Sequence, residues 1–148
     1  MSGSGKDENK RAPMFWTDED GAPGMALGPP GMDEMTHSFP PATQQVADPD
    51  SIYSYVRDAV MLRGKYPHIG RGTFEVLPVA GDSKAGAVLR AWEGSQIVVA
   101  YNVSAEPATI ALSVPGVLSD VLSATGEMPV QDGDSITLPG YCIAILVI

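Results

Sequence analysis

The pattern of hydrophobic and polar positions changes near residue 70. From Thr73 onward apolar and polar residues alternate with a period of two, which is typical of strands with one buried face. The pattern predicts seven strands: Thr73–Pro78, Gly86–Glu93, Gln96–Ser104, Thr109–Val114, Val117–Ser123, Asp134–Leu138 and Tyr141–Ile148. Short strands separated by regular turn signals favour an antiparallel β-sandwich or barrel. Gln96–Ser104 and the last strand are apolar on both faces, so we expect them to be central.

A single helix is predicted before the strands, over residues 48–65. Asp48 suits the N-cap and Pro49 the first helical position, whereas Gly64 and Pro67 should end the helix. Its apolar residues form two stripes. One contains Ile52, Val56, Ala59 and Val60 together with Arg63, and the other contains Tyr55, Leu62 and Tyr66. A helix that is apolar on two sides is expected to pack against two neighbouring elements.

Residues 1–46 show neither the two-residue period of a strand nor the 3.6-residue period of a helix. Prolines and glycines interrupt the segment throughout, which predicts a long irregular stretch. Yet Met14, Phe15, Trp16 and Phe39 are costly to leave in water. The segment is therefore predicted to coat a neighbouring surface rather than to act as a linker.

Composition narrows the class of protein. The 148 residues fit one domain, or one small domain with an appendage, and 16 glycines with 13 prolines exclude a helical bundle or coiled coil. The net charge of −9 argues against a nucleic-acid partner. No apolar run approaches the roughly 18 residues of a membrane span, and the first residues lack the apolar region of a signal peptide. The compartment is left open.

The residues offer little candidate chemistry. Cys142 is the only cysteine and is predicted to be a buried, inert thiol. His37 and His68 have no partner at helical spacing, so neither a metal site nor a catalytic triad is predicted, although His68 could cap the helix end. Asn102-Val103-Ser104 matches the glycosylation sequon inside a predicted central strand, where chance explains it better. The sequence predicts no catalytic centre, metal or cofactor of its own.

Two other candidates fall in the first half of the chain. Gly3-Ser4-Gly5-Lys6 lacks the spacing of a phosphate-binding loop and the Ser or Thr after the lysine. The acidic clusters, such as Asp18-Glu19-Asp20, lie in sequence without the rigid mounting that acid–base catalysis requires. A nucleotide site is therefore not predicted, and a solvated surface is the better interpretation of the acidic clusters.

Four stretches nevertheless resemble one enzyme family in order along the chain. Ser2 to Trp16, with its Arg11-Ala12-Pro13-Met14-Phe15-Trp16 segment, resembles the loop after the eighth barrel strand of bacterial α-amylases and α-glucosidases. Tyr55 to Pro67 resembles the last barrel helix of that family. Gln96–Ser104 and Ile136 to Tyr141 resemble the core strand and the final strand of its C-terminal β domain.

The resemblance implies that residues 1–70 are a remnant of a catalytic (β/α)8 barrel and that residues 71–148 are the C-terminal antiparallel β-sandwich domain. Such enzymes are retaining α-glycoside hydrolases with two carboxylates about 5–5.5 Å apart, acting on α-linked glucose oligo- or polysaccharides. Neither asparagine precedes a histidine, as the family's Asn-His-Asp motif requires, and Asp58 lies in mid-helix rather than at a strand end. The resemblance therefore implies an inactive fragment, with Arg11 as its one candidate substrate-binding residue.

Other classes stay open at this point. A stand-alone carbohydrate-binding module would present exposed aromatic side chains, for which Trp92, Tyr101 and Tyr141 are the candidates. A protein-interaction module would need no sugar contact. If the barrel-facing stripe of the helix is left bare, we expect the chain to self-associate through it.

Overall fold

The computed structural model describes residues 14–18, 39–81 and 84–148. The chain divides into two compact units, residues 1–54 and 55–148. The described residues form three helices: α1 (Ala42–Ala47), α2 (Ile52–Lys65) and α3 (Pro67–Arg71). They also form nine strands: β1 (Glu75–Leu77), β2 (Ala80–Gly81), β3 (Ala85–Trp92), β4 (Ser95–Asn102), β5 (Ala108–Ala111), β6 (Val117–Ser123), β7 (Val130–Asp132), β8 (Ser135–Leu138) and β9 (Cys142–Val147). No helix in these ranges is long and apolar enough to cross a membrane.

The first unit contains a helix that the sequence did not predict. The N–H groups of Ala42 and Thr43, at the start of α1, donate to the carbonyl oxygens of Phe15 and Trp16 at 2.9 and 3.0 Å. These bonds satisfy amides that have no partner within a helix. The prediction that the chain is irregular up to residue 46 is therefore wrong for residues 42–46, which belong to α1. Phe15 and Trp16 accept the hydrogen bonds of its first turn.

The start of α2 corrects the predicted cap. Ser54 N–H donates to Ser51 Oγ at 3.1 Å, so Ser51 is the N-cap and the helix begins at Ile52. Asp48 instead accepts the N–H of Asp50 at 2.9 Å, in a turn that precedes the helix. The helix ends at Lys65, as predicted. Pro67 then begins the separate helix α3, which the sequence also did not predict.

The second unit contains an antiparallel β-sandwich, which confirms the predicted fold class. One sheet has the order β1-β3-β4-β9-β6 and the other the order β2-β5-β8-β7, and every pairing is antiparallel. All seven predicted strands are present, and β4 and β9 occupy interior positions as expected. The sequence missed β2 and β7, which are too short to show an alternating pattern.

Two apolar layers explain why the interior strands are hydrophobic on both faces. Between the sheets lies the main core, which includes Val98, Ala100, Ile110, Ile136, Leu138, Ala144 and Leu146. On the other face of the larger sheet, Ile97 and Ile145 pack with Tyr66, and Leu62 and Ile69 add to the cluster. The C-terminal half of α2 and α3 therefore form a third layer, which covers the middle of this sheet.

Candidate interaction surface

No catalytic cluster emerges from the part of the chain that the structure describes. Within residues 14–18, 39–81 and 84–148, no three His, Cys, Asp or Glu side chains are arranged to hold a metal ion. Arg11, the one predicted substrate-binding residue, lies outside the described residues. His37 and the Gly3 to Lys6 segment lie outside them as well.

The other singled-out polar residues have structural roles. Cys142 is fully buried in the core, and burial raises the pKa of its thiol to about 11, which confirms the inert thiol. His68 does not end α2 but lies within α3, where its Nε2 hydrogen-bonds Ser95 Oγ at 2.8 Å. The predicted capping role of its side chain at the end of α2 is therefore wrong.

Asn102 is buried at the end of β4 and joins two turns. Its Nδ2 donates to the carbonyl oxygens of Glu106 and Pro139 at 2.8 and 2.9 Å. Its Oδ1 accepts the N–H and the hydroxyl of Ser104 at 2.9 and 2.7 Å. An amide with this many partners cannot reach a glycosylating enzyme in the folded chain, in agreement with a chance match to the sequon.

The three candidate sugar-binding aromatics do not form a platform. Trp92 and Tyr101 are half-buried in their strands, and the Tyr101 ring covers Gly86, its partner on β3. Only Tyr141 is exposed, at the corner between β8 and β9, with a positive φ of 49°. One exposed side chain among the three candidates gives little support to a stand-alone carbohydrate-binding module.

Two side-chain clusters fasten the helical layer to the sheet, and the first is built on Arg90 of β3. Its guanidinium donates to the carbonyl oxygens of His68, Ile69 and Gly72 at 3.0, 2.8 and 3.1 Å. The carbonyls lie in the last turn of α3 and at its C-cap Gly72, where a helix leaves carbonyl groups unpaired, and the His68 carbonyl also accepts the Gly72 N–H at 2.9 Å. The Phe74 ring lies 5.5 Å from the guanidinium carbon. Arg90 thereby fixes the position of α3 on the sheet.

The second cluster is centred on Asp120 of β6. A bulge after Leu118 shifts the register of β6 and brings Asp120 toward the end of α2. Lys65 Nζ lies 2.7 Å from the carboxylate, to which the Tyr66 hydroxyl also donates, and that hydroxyl lies 2.8 Å from Ser119 Oγ. Hydrogen bonds from Lys65 and Tyr66 lower the pKa of Asp120, and the bond to Asp120 raises the pKa of Lys65.

The opposite face of α2 carries exposed apolar side chains. Within the second unit, Val56 and Val60 lie one turn apart and are exposed, as is the adjacent Met61. The other predicted barrel-facing side chains, Met14, Trp16, Phe39 and Ile52, are also exposed in the first unit, whereas Phe15 is half-buried. The predicted helix with two apolar sides therefore has one side packed on the sheet and one side bare. We call the exposed side chains Val56, Val60 and Met61 the α2 outer face.

Comparison with known proteins shows which enzymes this chain is similar to. No protein-family model matches the chain. A curated α-glucosidase of Pediococcus pentosaceus is 33% identical over 76 residues, which are 47% of this chain and 13% of the relative. The structure of Amy13B from Eubacterium rectale is similar over 98% of this chain and 29% of that one, with 27% identity and a TM-score of 0.86.

A trehalulose synthase, MutB, shares the fold at lower identity. It is 24% identical over 95% of this chain and 26% of its own, with a TM-score of 0.71. The chain thus spans less than a third of the relatives it matches. The structural neighbours are enzymes of the amylase and glucosidase family, which confirms the resemblance to the C-terminal part of these enzymes.

Proposed function

We propose that this chain is the C-terminal part of an α-glucoside-processing enzyme and that it supports a catalytic barrel carried by the rest of a longer protein. The observation that carries the proposal is the α2 outer face, bare on a helix whose opposite side is fastened to the sandwich. The similarity to Amy13B over almost the whole chain supports the same interpretation. In this proposal, the barrel covers Val56 and Val60.

A substitution placed in two settings tests the supporting role. Val60→Asp in the 148-residue chain, measured at a concentration where the chain is monomeric, should change the free energy of unfolding by less than about 0.5 kcal/mol, because the side chain is 66% exposed. In the full-length enzyme the same change should cost about 2 kcal/mol or more, because it would bury a charge against the barrel. Val103→Asp, in an exposed turn, is the matched control. Equal effects of Val60→Asp in both proteins would overturn the proposal.

The parent enzyme is proposed to be a retaining glycoside hydrolase acting on α-linked glucose oligo- or polysaccharides. The 148-residue chain alone should hydrolyse neither maltooligosaccharides nor an aryl α-glucoside, because its sequence lacks the motifs that hold the two catalytic carboxylates. Turnover by the purified chain that is abolished by replacing one acidic residue would contradict this.

Arg11 is proposed as a substrate-binding residue of the parent enzyme. It would open the loop at the C-terminal mouth of the barrel, where active sites of this fold are built. In the full-length enzyme, Arg11→Ala should raise KM or lower kcat without changing the unfolding midpoint. Unchanged kinetics would leave Arg11 with the alternative role of pairing with Asp7 or Glu8 in the same loop.

A further inference from the structure

The cleft between α2 and α3 contains an unusual concentration of unpaired positive charge. Its volume is about 520 Å³, and Val60, Arg63, Gly64, Pro67, Gly70 and Arg71 line it. The chain as a whole carries a net charge of −9. Arg63 and Arg71 therefore bring two cations to one cleft in a protein with an excess of acidic residues.

The other basic side chains of the described residues are already engaged. Arg57 pairs with Asp58, Lys65 pairs with Asp120, Arg90 binds three carbonyl oxygens, and Lys84 has an interaction of its own. Within residues 14–18, 39–81 and 84–148, Arg63 and Arg71 alone among the arginines and lysines lack a hydrogen-bonding or ionic partner.

The acceptors already placed near these two arginines in the described part of the chain are bound by other side chains. Arg90 occupies the terminal carbonyls of α3, and the Asp120 carboxylate is shared by Lys65 and Tyr66. At helical spacing from Arg63 lie Ala59, Val60, Tyr66 and Pro67, none of which carries a negative charge. Among the residues that the structure describes, neither guanidinium group has an acidic partner.

Glycine makes room for this arrangement. A Cβ at Gly70 would lie 3.5 Å from Arg63 Nε and 3.7 Å from its Nη2, so the guanidinium of α2 rests directly against the backbone of α3. This contact brings Arg63 to the helix that carries Arg71. No heavy atom would come within 4 Å of a Cβ at Gly64, so that side of the cleft is open.

We propose that the cleft between α2 and α3 is an oxyanion-binding site, in which Arg63 and Arg71 bind a carboxylate or a phosphate group. A guanidinium donates two parallel hydrogen bonds to either group, and an anion between two guanidinium groups relieves their mutual repulsion. Val60 and Pro67 supply an apolar wall for the carbon side of an organic anion. The proposal concerns the isolated 148-residue chain, in which Val60 is exposed, and is made separately from the function proposed above, in which a barrel would cover Val60.

Titration of the ¹⁵N-labelled chain tests the site through the Arg Nε–Hε signals. Inorganic phosphate and glutarate are added separately at constant ionic strength. At least one of them should give saturable shifts of the Arg63 and Arg71 signals, with a Kd of the order of millimolar. Tighter binding of glutarate would identify a carboxylate ligand, such as an acidic side chain of a protein, and tighter binding of phosphate would identify a free or organic phosphate.

Matched variants complete the experiment. Arg63→Gln and Arg71→Gln should each weaken binding at least about tenfold, with an unchanged unfolding midpoint, because both side chains are exposed. Arg57→Gln removes the same charge from an exposed pair outside the cleft and should leave Kd unchanged. Shifts that never saturate with either probe, or an equal loss of affinity in Arg57→Gln, would overturn the proposal.

Discussion

Asn102 shows how one buried polar side chain can fix two distant turns. Replacing it by alanine would leave buried carbonyl and amide groups of both turns without partners, so Asn102→Ala should lower the free energy of unfolding by about 2–4 kcal/mol. Urea denaturation followed by circular dichroism measures the change. Thr109→Ala, which removes an exposed hydrogen bond between the hydroxyls of Thr109 on β5 and Thr137 on β8, should cost less than about 0.5 kcal/mol. A similar loss in both variants would contradict the role of Asn102.

Gly140, next to this network, is required by close backbone approach. A Cβ there would lie 2.7 Å from the Ala105 carbonyl carbon, so Gly140→Ala should destabilise the chain by about 1–3 kcal/mol. Gly64→Ala is the opposite case, because the added methyl meets nothing and the residue is helical. It should stabilise the chain by up to about 1 kcal/mol. Thermal unfolding of the two variants should therefore shift in opposite directions.

At the scale of elements, the attachment of α2 to β6 should depend on pH. Because the folded state lowers the pKa of Asp120, its contribution is complete well above the ordinary value of 3.8 and is lost as the pH falls through and below it. Asp120→Asn should cost about 1 kcal/mol at pH 7, since the pair is partly screened by solvent, and the difference from wild type should shrink between pH 5 and about pH 3.

A control separates this effect from general acid denaturation. Asp58→Asn removes a carboxylate from an exposed pair on α2 and should cost less than about 0.5 kcal/mol at either pH. Denaturant unfolding of wild type and each variant at pH 7 and at about pH 3 gives the cost of each substitution at each pH. A constant cost of Asp120→Asn across this range would show that its charge does not hold the helix.

The elements also show what a sequence can and cannot predict. Ile110 and Leu112 alternate with exposed neighbours, so burial of one face made β5 visible in the sequence. The short helix α3 gave no such signal, because its terminal carbonyls are bound by Arg90, which lies 21 positions beyond Ile69. Likewise, the exposed stripe of α2 was predicted from Val56 and Val60. The contact of Asp120 with the end of α2, in contrast, depends on a bulge in β6 that the local sequence pattern does not predict.

At the scale of the whole molecule, the α2 outer face should govern association of the isolated chain. Valines exposed one helical turn apart gain free energy when two copies bury them, by about 25 cal/mol per Å² of apolar surface. We therefore expect the 148-residue chain to self-associate with rising concentration, as measured by light scattering or sedimentation. The double variant Val56→Lys and Val60→Lys should shift the chain toward monomer, because it adds like charges to the contact.

The stability of this variant distinguishes association from misfolding. Val56 and Val60 are 53% and 66% exposed, so lysine at these positions should leave the unfolding midpoint of the monomer nearly unchanged. Val76→Lys, equally exposed on β1, adds charge elsewhere and should leave association intact. If the wild-type chain is monomeric at every concentration, or if Val76→Lys dissociates it as effectively, the α2 outer face is not the contact. Dissociation by the double variant alone would identify in the isolated chain the same apolar surface that the barrel is proposed to cover in the longer enzyme.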